Sequence, residues 1–160
     1  MFLTRRNKQF LIILAAAIIL FSILYFFIFS YSFIDIKNKN FIKNYGWEVQ
    51  SGSLVSADVI MSNEYLEDYF NQMKVNASKS IGLNPDSYRH KNIKVYSYST
   101  SKIGIYNNLM IGIWTYKNNV ICAYIFHTDN NYKIKCWPLN AEYSEIKKDL
   151  VNLQSKVSSK

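Results

Sequence analysis

The feature that most constrains this chain is an uncharged stretch of 25 residues, Phe10–Ile34. As an α-helix it would be about 37 Å long, whereas the hydrocarbon core of a bilayer is about 30 Å thick. A helix exposed to water needs a polar stripe, and this stretch has none. Its few polar side chains lie mostly in its second half: Ser22, Tyr25, Ser30, Tyr31 and Ser32. The pattern predicts a transmembrane helix.

The length of the stretch also indicates whether it is removed. A cleaved signal peptide has an apolar region of about 7–15 residues followed by a small-x-small site. Here the apolar run is about twice as long, and Ser30-Tyr31-Ser32 matches that rule poorly. We therefore predict an uncleaved signal-anchor.

The orientation of the span depends on the cations that flank it. Three precede it and three follow within ten residues, so a plain count is tied; these are Arg5, Arg6, Lys8, Lys37, Lys39 and Lys43. The first three lie closer to the apolar stretch, which favours a cytoplasmic N-terminus. We predict a short cytoplasmic tail at 1–9, a transmembrane anchor at 10–34 and an extracytoplasmic domain at 35–160, in a single-pass protein of the cell membrane.

The net charge of +8 bears on the partners. Beyond the span, 16 Lys/Arg stand against 11 Asp/Glu, which is typical of a solvated surface that faces anionic lipid or polymer. Nucleic-acid binding is not expected, because only three arginines are present and two of them precede the span. The expected partners are the membrane, through Phe10–Ile34, and an envelope protein or anionic polymer.

Beyond the span, the pattern predicts first a helical continuation over 35–45 that ends at Gly46. A short strand follows at Trp47–Val49. A helix is then predicted from the N-cap Ser62 to Gly82. Its apolar stripe comprises Leu66, Tyr69/Phe70, Met73, Ala77 and Ile81.

Alternating apolar residues predict the remaining strands, and Asn-rich turns predict that the last three form a meander. The strands are Leu54–Ile60, Ile93–Thr100, Leu109–Tyr116, Val120–His127 and Tyr132–Trp137. A final helix is predicted after Asn140. Because helices and strands segregate along the chain, the predicted fold is α+β, an antiparallel sheet with helices on one face.

Two segments carry a resemblance to a known family. The run YGWEV at 45–49 is followed, after the predicted helix, by a segment similar to D-L-x-x-Y-x-G-K-x-V-x-x-Y-x-Y, in which His90 stands where the family has Gly. The matching residues are Asp86, Tyr88, Lys91, Tyr96 and Tyr98. The chain thus resembles bacterial single-pass membrane proteins with a small extracytoplasmic domain of unknown function, over about residues 38–125. The resemblance implies this architecture and no particular activity.

Cys122 and Cys136 fall on neighbouring predicted strands, outside the cytoplasm in the predicted orientation, where a disulfide could form. A two-residue turn at Asn130-Asn131 would place the two cysteines on opposite faces of the sheet. A five-residue connection over 127–131 would place them face to face. The shorter turn is favoured and predicts two thiols, but the disulfide stays open.

Neither a metal site nor a catalytic site is expected. Cys122 and His127 are five residues apart on one strand and so point to opposite faces, and His90 is distant. No nucleophile elbow, zincin motif, P-loop or dinucleotide-binding glycine run is present. The carboxylates Glu64, Glu67 and Asp68 are explained by the start of a helix, where its dipole stabilises anions.

The most site-like surface in the sequence combines cations with tyrosines near 88–98, a composition suited to anionic or sugar-containing ligands. Its predicted contact residues are Tyr88, Arg89, Lys91, Lys94 and Tyr98. The favoured alternative is a solvated loop that leads into a strand whose tyrosines are packed by the helix. The favoured function is a non-enzymatic binding module of the bacterial envelope, with no cofactor. The alternatives are a membrane-tethered regulator or sensor that acts through the span on a cytoplasmic partner, and an envelope hydrolase.

Overall fold

The structure is a computed structural model that describes residues 5–50, 54–100, 109–128 and 134–158. Within these ranges, side chains are described except at 5–12, 26–32, 128, 134 and 153–158. The chain divides into two compact units, Met1–Lys37 and Asn38–Lys160.

The first unit consists of most of helix α1, which runs over Arg5–Asn44. Every side chain from 13 to 25 is exposed. Ser22, the serine of this segment, donates a hydrogen bond of 2.8 Å from its hydroxyl to the carbonyl of Ile18. No helix in the described part of the chain is long and apolar enough to cross a membrane. Of the predicted span, the side chains at 10–12 and 26–32 lie outside the described residues.

The second unit is built on five antiparallel strands in the order β1-β2-β3-β4-β5. Their bounds are β1 Val55–Ile60, β2 Asn92–Ser99, β3 Leu109–Tyr116, β4 Asn119–Thr128 and β5 Ile134–Pro138. Each strand pairs with the next along the chain. The prediction of an α+β fold with an antiparallel sheet is confirmed. Of the predicted strand at 47–49, Val49 alone forms a bridge, with Thr100.

One face of the sheet is covered by α2 (Asn63–Glu67) and α3 (Tyr69–Lys79). The buried cluster on this side of the sheet includes Ile93, Trp114 and Tyr124 from the strands and Leu66 and Val75 from the helices. A 3-10 helix, Pro85–Tyr88, leads from α3 into β2.

The opposite face also carries helices, so the prediction of helices on one face is wrong. Tyr98 points away from α3, and its hydroxyl accepts a hydrogen bond of 3.1 Å from Asn38 in the last turns of α1. Trp137 lies on the same face and donates to Asp149 of α4 (Tyr143–Ser158) at 2.9 Å. Strands β2 and β3 carry apolar or aromatic side chains on both sides, so both faces of the sheet must be shielded from water. A strand that alternates between apolar and polar residues would need this on one face only.

The predicted helix from Ser62 to Gly82 is broken at Asp68. Ser62 caps α2 as predicted, but Asp68 has an extended ψ of 131° and caps α3 by accepting from the amides of Phe70 and Asn71, each at 3.0 Å. Because of this break, the buried side of α3 differs from the one predicted for a single continuous helix. Leu66 and Ala77 are buried as predicted, whereas Tyr69 is 69% exposed and Phe70 is exposed beside it. The polar residues Asn71 and Ser78 are buried instead.

The turns and helix ends follow the sequence more closely. Lys117 and Asn118 have φ values of 46° and 64°, as a two-residue type I′ hairpin requires. Helix α1 ends just before Gly46, whose φ of 78° fits the predicted C-terminal glycine. The predicted turn at Asn130-Asn131 lies outside the described residues.

Candidate functional site

The structure does not bring together the predicted contact residues near 88–98. Tyr98 is completely buried and Tyr96 is 2% exposed, both on the face opposite to α3. The interpretation of these tyrosines as an exposed binding surface is therefore wrong, and burial of both agrees with the alternative of packed tyrosines. The predicted alternation of side chains along β2 is correct, since Ile93 and Val95 lie on the face towards α3 and the two tyrosines on the opposite face. Both faces of β2, however, are covered.

The remaining predicted contacts lie around the start of β2 and have different surroundings. Tyr88 is half-buried and packs on Tyr116, with ring centroids 5.4 Å apart. Arg89 is held by Asp86, at 3.3 Å, and by Asn63, at 3.1 Å. Lys91 is exposed. None of these three contacts involves Tyr98, and the five residues do not form one surface.

Lys94 is exposed and lies directly opposite Asp58 of β1 in the sheet register. It therefore lies next to β1, an edge strand of the sheet, and not in the surface around Tyr88. This edge was not recognised from the sequence, where β1 was read only as a strand. The available signal was composition: β1, VSADVI, is short, carries a single charge and has apolar residues at both ends.

The two cysteines lie on one face of the sheet but far apart. Cys136 pairs with Phe126, and Thr128 pairs with Ile134. This register places Cys122 and Cys136 on the same face, contrary to the favoured turn. Cys122 is nevertheless four positions from the partner of Cys136, or about 13 Å along the strand, whereas a disulfide needs Cα atoms about 4.4–6.8 Å apart. Both cysteines are free thiols, as the favoured alternative predicted.

Cys122 belongs to a buried hydrogen-bond network centred on Ser78 of α3. The Ser78 hydroxyl lies 2.8 Å from the Cys122 sulfur, 3.0 Å from the carbonyl of Ala123 and 2.8 Å from that of Lys74. It also accepts from the amide of Ala123 at 2.9 Å. Strand β5 ends at Pro138, which pairs with Tyr124, so Ala123 lies just beyond the end of its ladder. Ser78 therefore provides hydrogen-bond partners for the backbone amide and carbonyl of Ala123, which β5 does not reach.

The half-buried Lys74 lies next to this network. Its ammonium group donates to the Asn71 amide oxygen at 2.9 Å and lies 5.8 Å from the centroid of the Tyr124 ring. Burial lowers the pKa of Lys74, while the neighbouring Cys136 and Cys122 oppose this shift. Burial also raises the pKa of Tyr65, which stacks on Trp114, to about 12.

The same burial makes both thiols poor nucleophiles. It raises the pKa of Cys136 to about 11 and that of Cys122 well above its ordinary value. The thiolate is the reactive form of cysteine, and reactive cysteines have a lowered pKa. The cluster of Lys74, Ser78 and Cys122 is thus built as a structural network of the core.

No group of three or more His, Cys, Asp or Glu side chains within the described ranges could hold a metal ion. Cys122 faces α3, and His127 points to the other side of β4 because it is five residues further along the strand. His90 lies in the connection before β2, where its φ is 60°. His90, which stands where the family that the sequence resembles has Gly, therefore adopts a left-handed backbone conformation.

No family model, curated protein or solved structure matches this chain. The resemblance to bacterial single-pass proteins stays a prediction.

Proposed function

We propose that this protein is a single-pass membrane protein of the bacterial envelope whose residues 35–160 form a non-enzymatic binding module outside the cytoplasm. The observation that carries the proposal is the exposure of the whole segment 13–25 of α1. Consecutive positions on a helix point in all directions, and Phe21 reaches 74% exposure. A helix that is apolar on every side is stable in lipid, because soluble proteins rarely leave such large apolar surfaces in water.

The hydrogen bond of Ser22 supports a lipid environment for this segment. Its hydroxyl donates to the carbonyl of Ile18, one turn earlier in the same helix. In hydrocarbon a hydroxyl without a partner is costly, and the bond to the i−4 carbonyl satisfies it within the helix. The polar group in the middle of the stretch is therefore compatible with a membrane span.

The non-enzymatic part of the proposal is supported by the chemistry of the core. Of the side chains with the most catalytic character, Ser78 and Cys122 are engaged in hydrogen bonds that hold α3 to β4. Lys74 donates to Asn71 within α3. The raised pKa of Cys122 disfavours its nucleophilic form. The module would therefore act through its surface.

Membrane extraction tests the anchor. An arginine at the centre of a span costs about 2.5–3.5 kcal/mol for insertion. We expect the wild-type protein to stay in the membrane pellet after an alkaline carbonate wash and Phe21→Arg to be released in a measurably larger fraction. The matched control is Val151→Arg, an exposed apolar position of α4, which should stay in the pellet. Release of the wild-type protein by carbonate would refute the anchor.

A further inference from the structure

The sheet has two edges, and the structure covers them differently. At β5, Cys136 packs in the cluster under α3, and Lys135 and Trp137 bond to Asp149 of α4 at 2.7 and 2.9 Å. The strand ends at Pro138, which has no amide hydrogen. At β1, five of the six side chains are exposed, on both faces of the sheet. Val55 and Ile60 are each 65% exposed.

The register shows which backbone groups of β1 point away from the sheet. Met61, the residue after β1, donates its amide hydrogen to the carbonyl of Lys91 at 3.0 Å. Ladder bonds in an antiparallel pair alternate from residue to residue. The odd-numbered residues of β1 therefore bond to β2, and the amides of Ser56, Asp58 and Ile60 point outward. The carbonyl of Ile60 already accepts from Ser62 at 2.8 Å, which leaves the carbonyls of Ser56 and Asp58 as outward acceptors.

We propose that this edge, the outward side of β1, binds an extended segment of a partner protein that adds antiparallel to the sheet and places a Lys or Arg opposite Asp58. An added strand would bond to the outward groups of Ser56 and Asp58, as in other cases of strand addition. Apolar residues on either side of that cation would lie opposite Ala57 and Val59. The inference rests on the proposed binding function and names the site and the class of partner.

The charge of the edge selects a basic partner. Asp58 is the only charged residue of β1, and Lys94 lies opposite it on β2. A cation on the incoming strand continues the alternation Lys94, Asp58, cation across three strands. Opposite charges across a strand pair stabilise it, and like charges destabilise it.

The same carboxylate disfavours a second copy of this chain as the occupant. Outward-bonding residues pair with outward-bonding residues, so two β1 strands overlap most with Asp58 opposite either Asp58 or Ser56 of the other copy. The first register brings two carboxylates together, since the Cα atoms of a hydrogen-bonded pair are about 5.5 Å apart. Neither register places a cation opposite Asp58, because β1 contains none.

The test uses the full-length protein in nonionic detergent and two capped pentapeptides, Thr-Val-Lys-Val-Thr and Thr-Val-Glu-Val-Thr. Binding is followed by peptide fluorescence anisotropy and by hydrogen exchange of the amides of β1. We expect the Lys peptide to bind about fivefold more tightly and to slow exchange at Ser56, Asp58 and Ile60. The net charge of +8 would by itself favour the Glu peptide, so a preference for Lys reports on Asp58.

Two variants make the test specific to the edge. Asp58→Lys, at an exposed position, should reverse the preference between the two peptides. Ser56→Pro should abolish binding while the protein stays folded, because it removes an outward amide that β2 does not use. The matched control Ala57→Pro removes a bond to β2, so it should lower stability.

Equal binding of both peptides, binding that survives Ser56→Pro, or concentration-dependent pairing of two copies through β1 would each overturn the inference. Those outcomes leave the membrane anchor untouched. The proposed function fails separately, if the wild-type protein is released by the carbonate wash.

Discussion

Substituting Gly112 with alanine tests the packing of the core on the α3 side. Gly112 lies in the middle of β3, and the ring of Tyr124 on β4 lies directly over it. An added Cβ would come within 2.2 Å of Tyr124 Cζ and 2.5 Å of its hydroxyl oxygen. Real carbon atoms do not approach so closely, so the ring would have to leave its place.

The cost follows from what the ring contributes there. Tyr124 is buried, and its hydroxyl accepts a hydrogen bond of 3.2 Å from Trp114. Displacing a buried aromatic side chain costs about 3–5 kcal/mol, and the lost hydrogen bond adds about 1 kcal/mol. We expect Gly112→Ala to lower the free energy of unfolding by about 4–6 kcal/mol.

The assay is urea unfolding of the full-length protein in detergent, followed by tryptophan fluorescence. Gly46→Ala is the matched control, because no atom lies within 4 Å of its added Cβ and its φ of 78° leaves only backbone strain, about 1–2 kcal/mol. In a Tyr124→Ala background, Gly112→Ala should cost nothing further, since the clash is gone. A loss below 1 kcal/mol in the wild-type background, or an equal loss in both backgrounds, would refute the packing.

Three further predictions use the same unfolding assay. Ser78→Ala leaves the buried amide of Ala123 without its acceptor and should cost about 2–3 kcal/mol. The control Ser80→Ala, at an exposed residue whose hydroxyl donates to the carbonyl of Ala77 at 2.7 Å, should cost about 1 kcal/mol or less; equal costs would contradict the role of Ser78. Burial raises the pKa of the Cys122 thiol above its ordinary 9.0, so the unfolded state releases its proton first, and stability is retained below pH 9 and falls above it. Between pH 8 and 10 this thiol should account for a loss of about 1.4 kcal/mol that Cys122→Ala does not show; identical pH profiles would be inconsistent with the buried thiol. His90→Gly relieves a left-handed φ of 60° and should raise stability by about 0.5–1 kcal/mol, and no gain would argue against that backbone conformation.

Local signals in the sequence predicted much of the second unit. Alternation located the strands, and Ser62 was identified as a cap. Asn118, a residue type that tolerates positive φ, indicated the turn predicted over 117–119, which the structure forms from Lys117 and Asn118 alone. These features depend on a few neighbouring residues, which is why the sequence alone sufficed. The helix break at Asp68 was missed because a carboxylate in the first turns of one long helix and a cap of a second helix look alike in sequence.

The candidate contacts failed for a non-local reason. Tyr98 and Ile93 occupy opposite faces of β2 as predicted. Whether a face is exposed depends on where α1 and α4 pack, and the sequence of a single strand does not show this. The register of Cys136 likewise depended on the length of a connection. The composition of β1 was compatible with an edge strand, but its position at the edge was established only by the strand order of the sheet.

The most direct test of a membrane-anchored module outside the cytoplasm is the accessibility of one introduced thiol in intact cells. The native Cys122 is fully buried and Cys136 half-buried, so the wild-type protein supplies the background, and Val151→Cys adds an exposed thiol on α4. We predict that a membrane-impermeant maleimide labels Val151→Cys in intact cells and that the labelled protein stays in the pellet after a carbonate wash. Labelling only after lysis would contradict the proposed orientation, and labelled protein in the supernatant would contradict the anchor.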